Sequence, residues 1–161
     1  MKGADQLVEL VRAIEDALAI VRYRTEKRLG ISLQKAELEL RFAAKKTAGV
    51  GGSIEIIVPI EAGVERAWSN LQTFTLSLTP AGGSLDLGEP PANELADAIL
   101  ALAATIDQLA RVKPASFTLG TAGLSIGVEL TTEGKLQVVF GGGGKSSTAH
   151  TINLTFRRNG S

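Results

Sequence analysis

The stretch "VVFGGGGKSST", residues 138–148, holds the residue types most readily tied to chemistry. Four glycines followed by Lys145 and Ser146 have the composition of a phosphate-binding loop, where backbone N–H groups cradle phosphate and a lysine reaches its outer oxygens. The spacing fails. A P-loop needs G-x-x-x-x-G-K-[ST], and counting back from Gly144 puts its first glycine at a position held by Val139. The segment that follows, "TAHTINLTF", is β-branched and alternating, so it predicts a strand and not a helix whose N-terminus could hold an anion. The glycines therefore read as a hairpin loop, and neither nucleotide binding nor any cofactor is expected.

His150 is the only histidine, with Ser146, Ser147 and Thr148 close before it. A nucleophile and base also need an orienting acid and an oxyanion site. The chain has no G-x-S-x-G elbow. A polar surface role, or a cap where the last strand starts, is the expectation for His150. One histidine without cysteine does not make a zinc site. Glu37 and Glu39 alternate outward on one strand, and two carboxylates on one face could serve a glycosidase. A solvated sheet face is the simpler reading. Arg22, Arg24, Lys27 and Arg28 cluster where the first helix ends, complementing its dipole and offering a surface to an anionic partner. Trp68, the only tryptophan, reads as a core anchor, or as an interface anchor if exposed. The candidate partner contacts are thus Arg22, Arg24, Lys27, Arg28, Trp68, Lys145 and His150. Catalytic and metal residues are not expected.

These side chains need elements to position them. The 161 residues are 44% hydrophobic but only 4% aromatic, so a folded and mostly aliphatic core is expected. Lysine and arginine number 17, as do aspartate and glutamate. That balance argues against nucleic-acid binding through phosphate contacts. There is no cysteine, which excludes disulfides, thiolate metal sites and a cysteine nucleophile, and fits a cytoplasmic protein. The N-terminal "MKGADQLVELVRAIEDAL" mixes acids into its apolar residues, as an amphipathic helix does and a signal peptide does not. No membrane span is expected.

The apolar pattern repeats. Leu7, Val11, Ile14, Leu18 and Val21 make the stripe of one helix, and Leu95, Ile99, Leu102, Ile106 and Leu109 make the same stripe again at a constant offset of 88. Asp5 and Asn93 are the expected N-caps, and Pro114 ends the second helix. After each helix, "ISLQKAELELRF" aligns with "FTLGTAGLSIGV" without a gap. In both, apolar parity flips at the middle, near Ala36 and Ala122, which demands a turn or bulge. The second strands are "SIEIIVPI" and "KLQVVFGG", reached through the glycine-bearing turns "TAGVGGS" and "TTEG". The third strands are "TFTLSLTP" and "TINLTFRR"; Phe74, Leu76 and Leu78 answer to Ile152, Leu154 and Phe156. The expected fold is α+β: two tandem repeats, each an amphipathic helix followed by three antiparallel strands, packed as a pseudo-symmetric two-layer structure. The repeats are residues 1–80 and 93–161, joined by a linker at 81–92. Whether they form one sheet or two facing sheets stays open.

The segment "ELELRFAAKKTAGVGGSIEIIVPIEAGVERAWSNLQTFTLSLTP", residues 37–80, with the helix before it, resembles the trypsin-co-occurring domain family of bacteria. The alternating "ELELRF", the glycine-bearing hairpin and the Thr-rich "TFTLSLTP" carry the likeness, and "LSIGVEL", "KLQVVF" and "GGGGKSSTAHTINLTF" keep its layout. The resemblance implies a tandem pair of non-enzymatic domains, encoded with or fused to trypsin-like peptidases in bacterial conflict or defence systems. It brings no catalytic residues. The expected function is an accessory interaction protein that recruits or regulates a partner, such as a trypsin-like peptidase. The alternative is a self-associating assembly protein, and a small hydrolase stands third. Unprotected sheet edges and a near-neutral surface add the expectation of a homo-oligomer.

Overall fold

The computed structural model describes residues 2–46, 54–59, 71–81, 93–112, 119–131, 133, 135–139 and 149–158. The elements run α1 (Lys2–Arg28), β1 (Ile31–Lys46), β2 (Ile54–Ile57), β3 (Gln72–Leu78), α2 (Glu94–Ala110), β4 (Thr121–Leu130), β5 (Leu136–Val139) and β6 (His150–Arg158). All pairings are antiparallel, in a six-stranded sheet ordered β2-β1-β6-β4-β5 with β3 also on β1. The two predicted halves share one sheet, joined where β6 pairs with β1 from Ile31 to Glu39.

The helices form where apolar residues recur every three or four positions. In α1, Leu7, Leu10, Ile14, Ala17, Leu18 and Val21 turn inward. The helix starts at Lys2, so Asp5 lies in its first turn and is not the cap expected from the sequence. Asn93 does cap α2: its Oδ1 accepts from Ala96 N–H at 3.0 Å. Pro114 lies outside the described residues, as do the turn "TAGVGGS", most of the linker and the loop 140–148.

β1 explains the flip of apolar parity. Ile31 and Leu33 are buried at odd positions; Ala36, Leu38, Leu40 and Phe42 are buried at even ones. The register against β6 shifts between Leu33 and Lys35. A bulge there lets one strand of 16 residues keep its apolar side chains on one face throughout. The two sides of the parity flip expected near Ala36 therefore belong to one element.

Both helices pack on the same face of that sheet and against each other. α1 covers β1 and β2; α2 covers β5 and β4. β6 runs beneath the seam between them, and Ile152, Leu154 and Phe156 are shut off from solvent. Each such side chain contributes roughly 1.5–3 kcal/mol by leaving water. The opposite face carries neither of the described helices. There Ser125 Oγ donates to Asn153 Oδ1 at 2.7 Å, and Asn153 Nδ2 donates to Glu39 Oε2 at 3.1 Å. Glu37 and Glu39 sit on this solvated face, as their alternation predicted.

One polar tie fixes the helix layer. Asp107 of α2 is nearly buried, and its Oδ1 accepts from the N–H of Gly30 at 3.0 Å in the α1–β1 turn. Its Oδ2 pairs with Arg111 at 3.0 Å. A side chain at Gly30 would put its Cβ 3.0 Å from that same Oδ1, so the close approach favours glycine unless the Asp107 carboxylate gives way. Among the described residues, no helix is long and apolar enough to cross a membrane.

Candidate functional site

β3 departs from its predicted environment. Its register sets Phe74 opposite Leu40, Leu76 opposite Leu38 and Leu78 opposite Ala36, so all three point to the helix side of the sheet. The sequence expectation was a buried apolar face. Instead Phe74 is 42% and Leu76 36% exposed, while Ile152 and Leu154 of β6 are 0% and 1%. Coverage causes the difference. β6 has a helix on either side of it, whereas β3 lies beyond α1 with no described helix past it. The sheet overhangs the helix layer as an apolar ledge. The Phe74 ring stacks on Phe42 at a centroid distance of 4.2 Å, which fixes its orientation.

Between this ledge and α1 lies a groove of about 290 Å³. Leu33, Ala36, Leu78 and Pro80 line it from the sheet side, and Glu15, Leu18 and Arg22 line it from α1. The lining is apolar with an opposed pair of charges above it, a composition suited to a peptide side chain.

The β3 edge adds backbone donors and acceptors to the ledge. Arg41 N–H points toward β6, where it donates to His150 Nδ1 at 2.9 Å. Backbone groups alternate sides along a strand, so the even-numbered residues of this part of β1 face β3. Gln72, Phe74, Leu76 and Leu78 answer them across the ladder. The N–H and C=O of Thr73, Thr75 and Ser77 therefore point to the outer edge, which no described strand covers.

The residues singled out from the sequence scatter. Arg22 pairs with Glu26 at 3.3 Å and borders the groove. Arg24 pairs with Asp97 of α2 at 3.3 Å and so ties the helices together. Lys27 lies over the Tyr23 ring at 5.2 Å. Arg28 lines a smaller cleft with Arg24, Leu29, Asp97, Leu100 and Ala104. Trp68 and Lys145 fall outside the described residues. His150 is not at the surface, which corrects the surface role read from the sequence; it is fully buried at the start of β6. It shares the inward parity of Ile152, Leu154 and Phe156, a signal present in the sequence. Burial pushes its pKa down to about 4; nearby Glu129 opposes that shift and Arg41 adds to it. With Nδ1 accepting, Nε2 carries the hydrogen, and Nε2 has no partner among the described residues. Among the described residues no cluster of acids and histidine is placed to hold a metal ion.

The segment that builds the ledge and the groove, α1 through β3, can be compared with known families. Residues 6–80 match trypsin-co-occurring domain 2. This segment belongs to that family. No curated protein and no solved structure matches the chain. The trypsin-co-occurring segment thus contains α1, β1, β2 and β3 whole except for the first turn of the helix. Its name ties it to trypsin-like peptidase systems. The ledge is a feature of this segment alone, made by its last strand.

Proposed function

We infer that the protein is a non-enzymatic accessory interaction protein, which recruits or regulates a partner within a trypsin-like peptidase system of bacterial conflict or defence. The observation that carries this reading is the β3 ledge: exposed Phe74 and Leu76, an outward row of backbone groups, and an adjoining apolar groove. Exposed apolar surface of this kind, beside a strand edge that no described strand pairs, suits strand addition with side chains anchored beneath. Membership of the trypsin-co-occurring family supplies the peptidase as partner class. The state of His150 also supports a non-catalytic role, because an imidazole sealed from solvent and bonded to a backbone N–H cannot serve as a base to an outside substrate.

We also propose that residues 93–158 are a second, diverged copy of the module. Support comes from register. Leu38 lies opposite Leu76 and Leu124 opposite Leu154, and these are the pairs that the two halves of the sequence align.

The test is calorimetric titration of the protein into the trypsin-like peptidase encoded nearest to it, with the peptidase's nucleophile substituted. Saturable binding is expected, and Phe74→Asp should weaken it by about tenfold or more. Equal affinity for wild type and Phe74→Asp would remove the ledge from the reading. A turnover of peptide or ester by the protein alone would remove the non-enzymatic role. Self-association is the second reading, favoured by the exposed apolar flank of α2.

A further inference from the structure

The junction inside the molecule has a matching pair of surfaces outside it that no described strand pairs. At the junction, β6 lies against β1, with Asn153 opposite Glu37, Ile152 opposite Leu38 and Leu154 opposite Ala36. β2 leaves room for this because it reaches only Ala43–Lys46 of β1. β3 stands to β1 as β6 stands to β4, register for register. Yet the outer edge of β3 meets nothing among the described strands.

The surface that β3 would fit is at the other end of the sheet. Arg158 N–H donates to Gly120 O on the β6 side, and Thr131 N–H donates to Lys135 O on the β5 side. Even-numbered backbone groups of β4 therefore face β6, and odd ones face the β5 side. β5 covers only Gly127–Leu130, so Thr121, Gly123 and Ser125 present their N–H and C=O beyond its end, uncovered by any described strand. Among the described residues the helix layer there also stops at α2. α2 meets α1 through Asp97 and the α1–β1 turn through Asp107, and the cleft between the helices is lined by Leu100 and Ala104. The flank of α2 turned away from α1 holds Leu102 and Leu109, 38% and 64% exposed. These two leucines belong to the apolar stripe that was expected to be core.

The geometry points to head-to-tail association of this chain with a second copy: the β3 edge of one molecule pairs with the Thr121–Ser125 edge of β4 in the next. By transfer of the internal register, Thr75 meets Gly123, Phe74 meets Leu124 and Leu76 meets Ala122. The α2 flank of the second copy then covers the ledge of the first, as the helix layer covers β6 within the chain. No described strand covers either edge, and both carry Thr, Ser and Gly where lysine or proline would block pairing. The net charge of zero gives no general repulsion between copies. Because the two surfaces differ and lie at opposite ends of the sheet, the contact is heterologous and each addition exposes the same surfaces again. This inference rests on the reading of the ledge as a contact surface and names one occupant for it.

Sedimentation velocity of the full chain from ~1 to ~100 μM tests it. The mean mass should climb with concentration past twice the 16.8 kDa of one chain, without levelling at a dimer. Thr75→Pro removes an outward N–H of β3 and leaves the bonds to β1 in place. Leu109→Glu charges the exposed flank of α2. Each variant alone should stay at 16.8 kDa. Their equimolar mixture should form a two-chain species and grow no further, since one end of each chain remains competent. Phe74→Glu, with an intact backbone, serves in place of Thr75→Pro if the proline lowers the melting temperature. Two results would overturn the inference. One is a wild type that stays at the mass of a single chain throughout. The other is dissociation by Thr75→Pro without any effect of Leu109→Glu, which would mark pairing of β3 with β3. A single-chain wild type that still binds the peptidase through Phe74 would sink this inference and leave the accessory role intact.

Discussion

His150 accepts, on its Nδ1, the N–H of Arg41 that would meet a carbonyl if β6 began one residue earlier. The imidazole extends the β1–β6 ladder and is buried in doing so. Its folded pKa of about 4 lies below the ordinary 6.5, so the unfolded chain takes up a proton more readily than the folded one. Stability should be unaffected above the unfolded value, fall as pH drops from 6.5 toward 4, and level off below. The full loss is roughly 3 kcal/mol. Urea melts of wild type and His150→Gln at pH 7 and pH 4.5 would read this directly; the glutamine variant should lose much less stability between them. Asp107 is the second residue that matters beyond its own position. Asp107→Ala strands the partly buried N–H of Gly30 and should cost about 1–3 kcal/mol, whereas Arg111→Ala, at the exposed end of the pair, should cost under about 1. The sequence could not announce Asp107, because its value comes from a turn 77 positions away. His150 was legible in part: its parity with Ile152 pointed inward, but its neighbouring serines suggested a surface loop.

Elements were legible where local pattern decides them. The stripe spacing marked both helices, Asn93 marked a helix start, and the parity flip marked the bulge of β1. Asn93→Ala should accordingly cost about 1 kcal/mol in a thermal or urea melt, by freeing the N–H of Ala96. Coverage was not legible. Phe74 and Leu76 alternate with threonine and serine as Ile152 and Leu154 do with threonine and asparagine, and no local signal tells which strand lies under a helix seam. Leu102 and Leu109 similarly continue a stripe whose first members, Leu95 and Ile99, are core. Their exposure follows from where α1 stops and α2 has no further described helix beside it. The contrast yields a measurement. Leu154→Ala should cost 2–5 kcal/mol, about the range for a buried leucine, and Leu76→Ala, at the matched position of β3, markedly less.

At the scale of the whole molecule, the order of strands in space differs from their order along the chain. β6 lies between β1 and β4, and it is the only described strand that joins the two halves of the sheet. A cavity there should unfold both halves together. Phe156→Ala is expected to lower stability by 3–5 kcal/mol, roughly, with far-UV and near-UV signals changing in one transition. The same placement shapes biosynthesis. Synthesis runs from the N-terminus, so α1, β1 and β3 leave the ribosome well before β6 exists. Through that interval the Ile31–Glu39 edge of β1 waits without its neighbour, open to the β6 of a chain on an adjacent ribosome. Crowded translation of this message would thus favour exchanged strands between sister chains, and slow, dilute expression would favour each chain closing its own sheet.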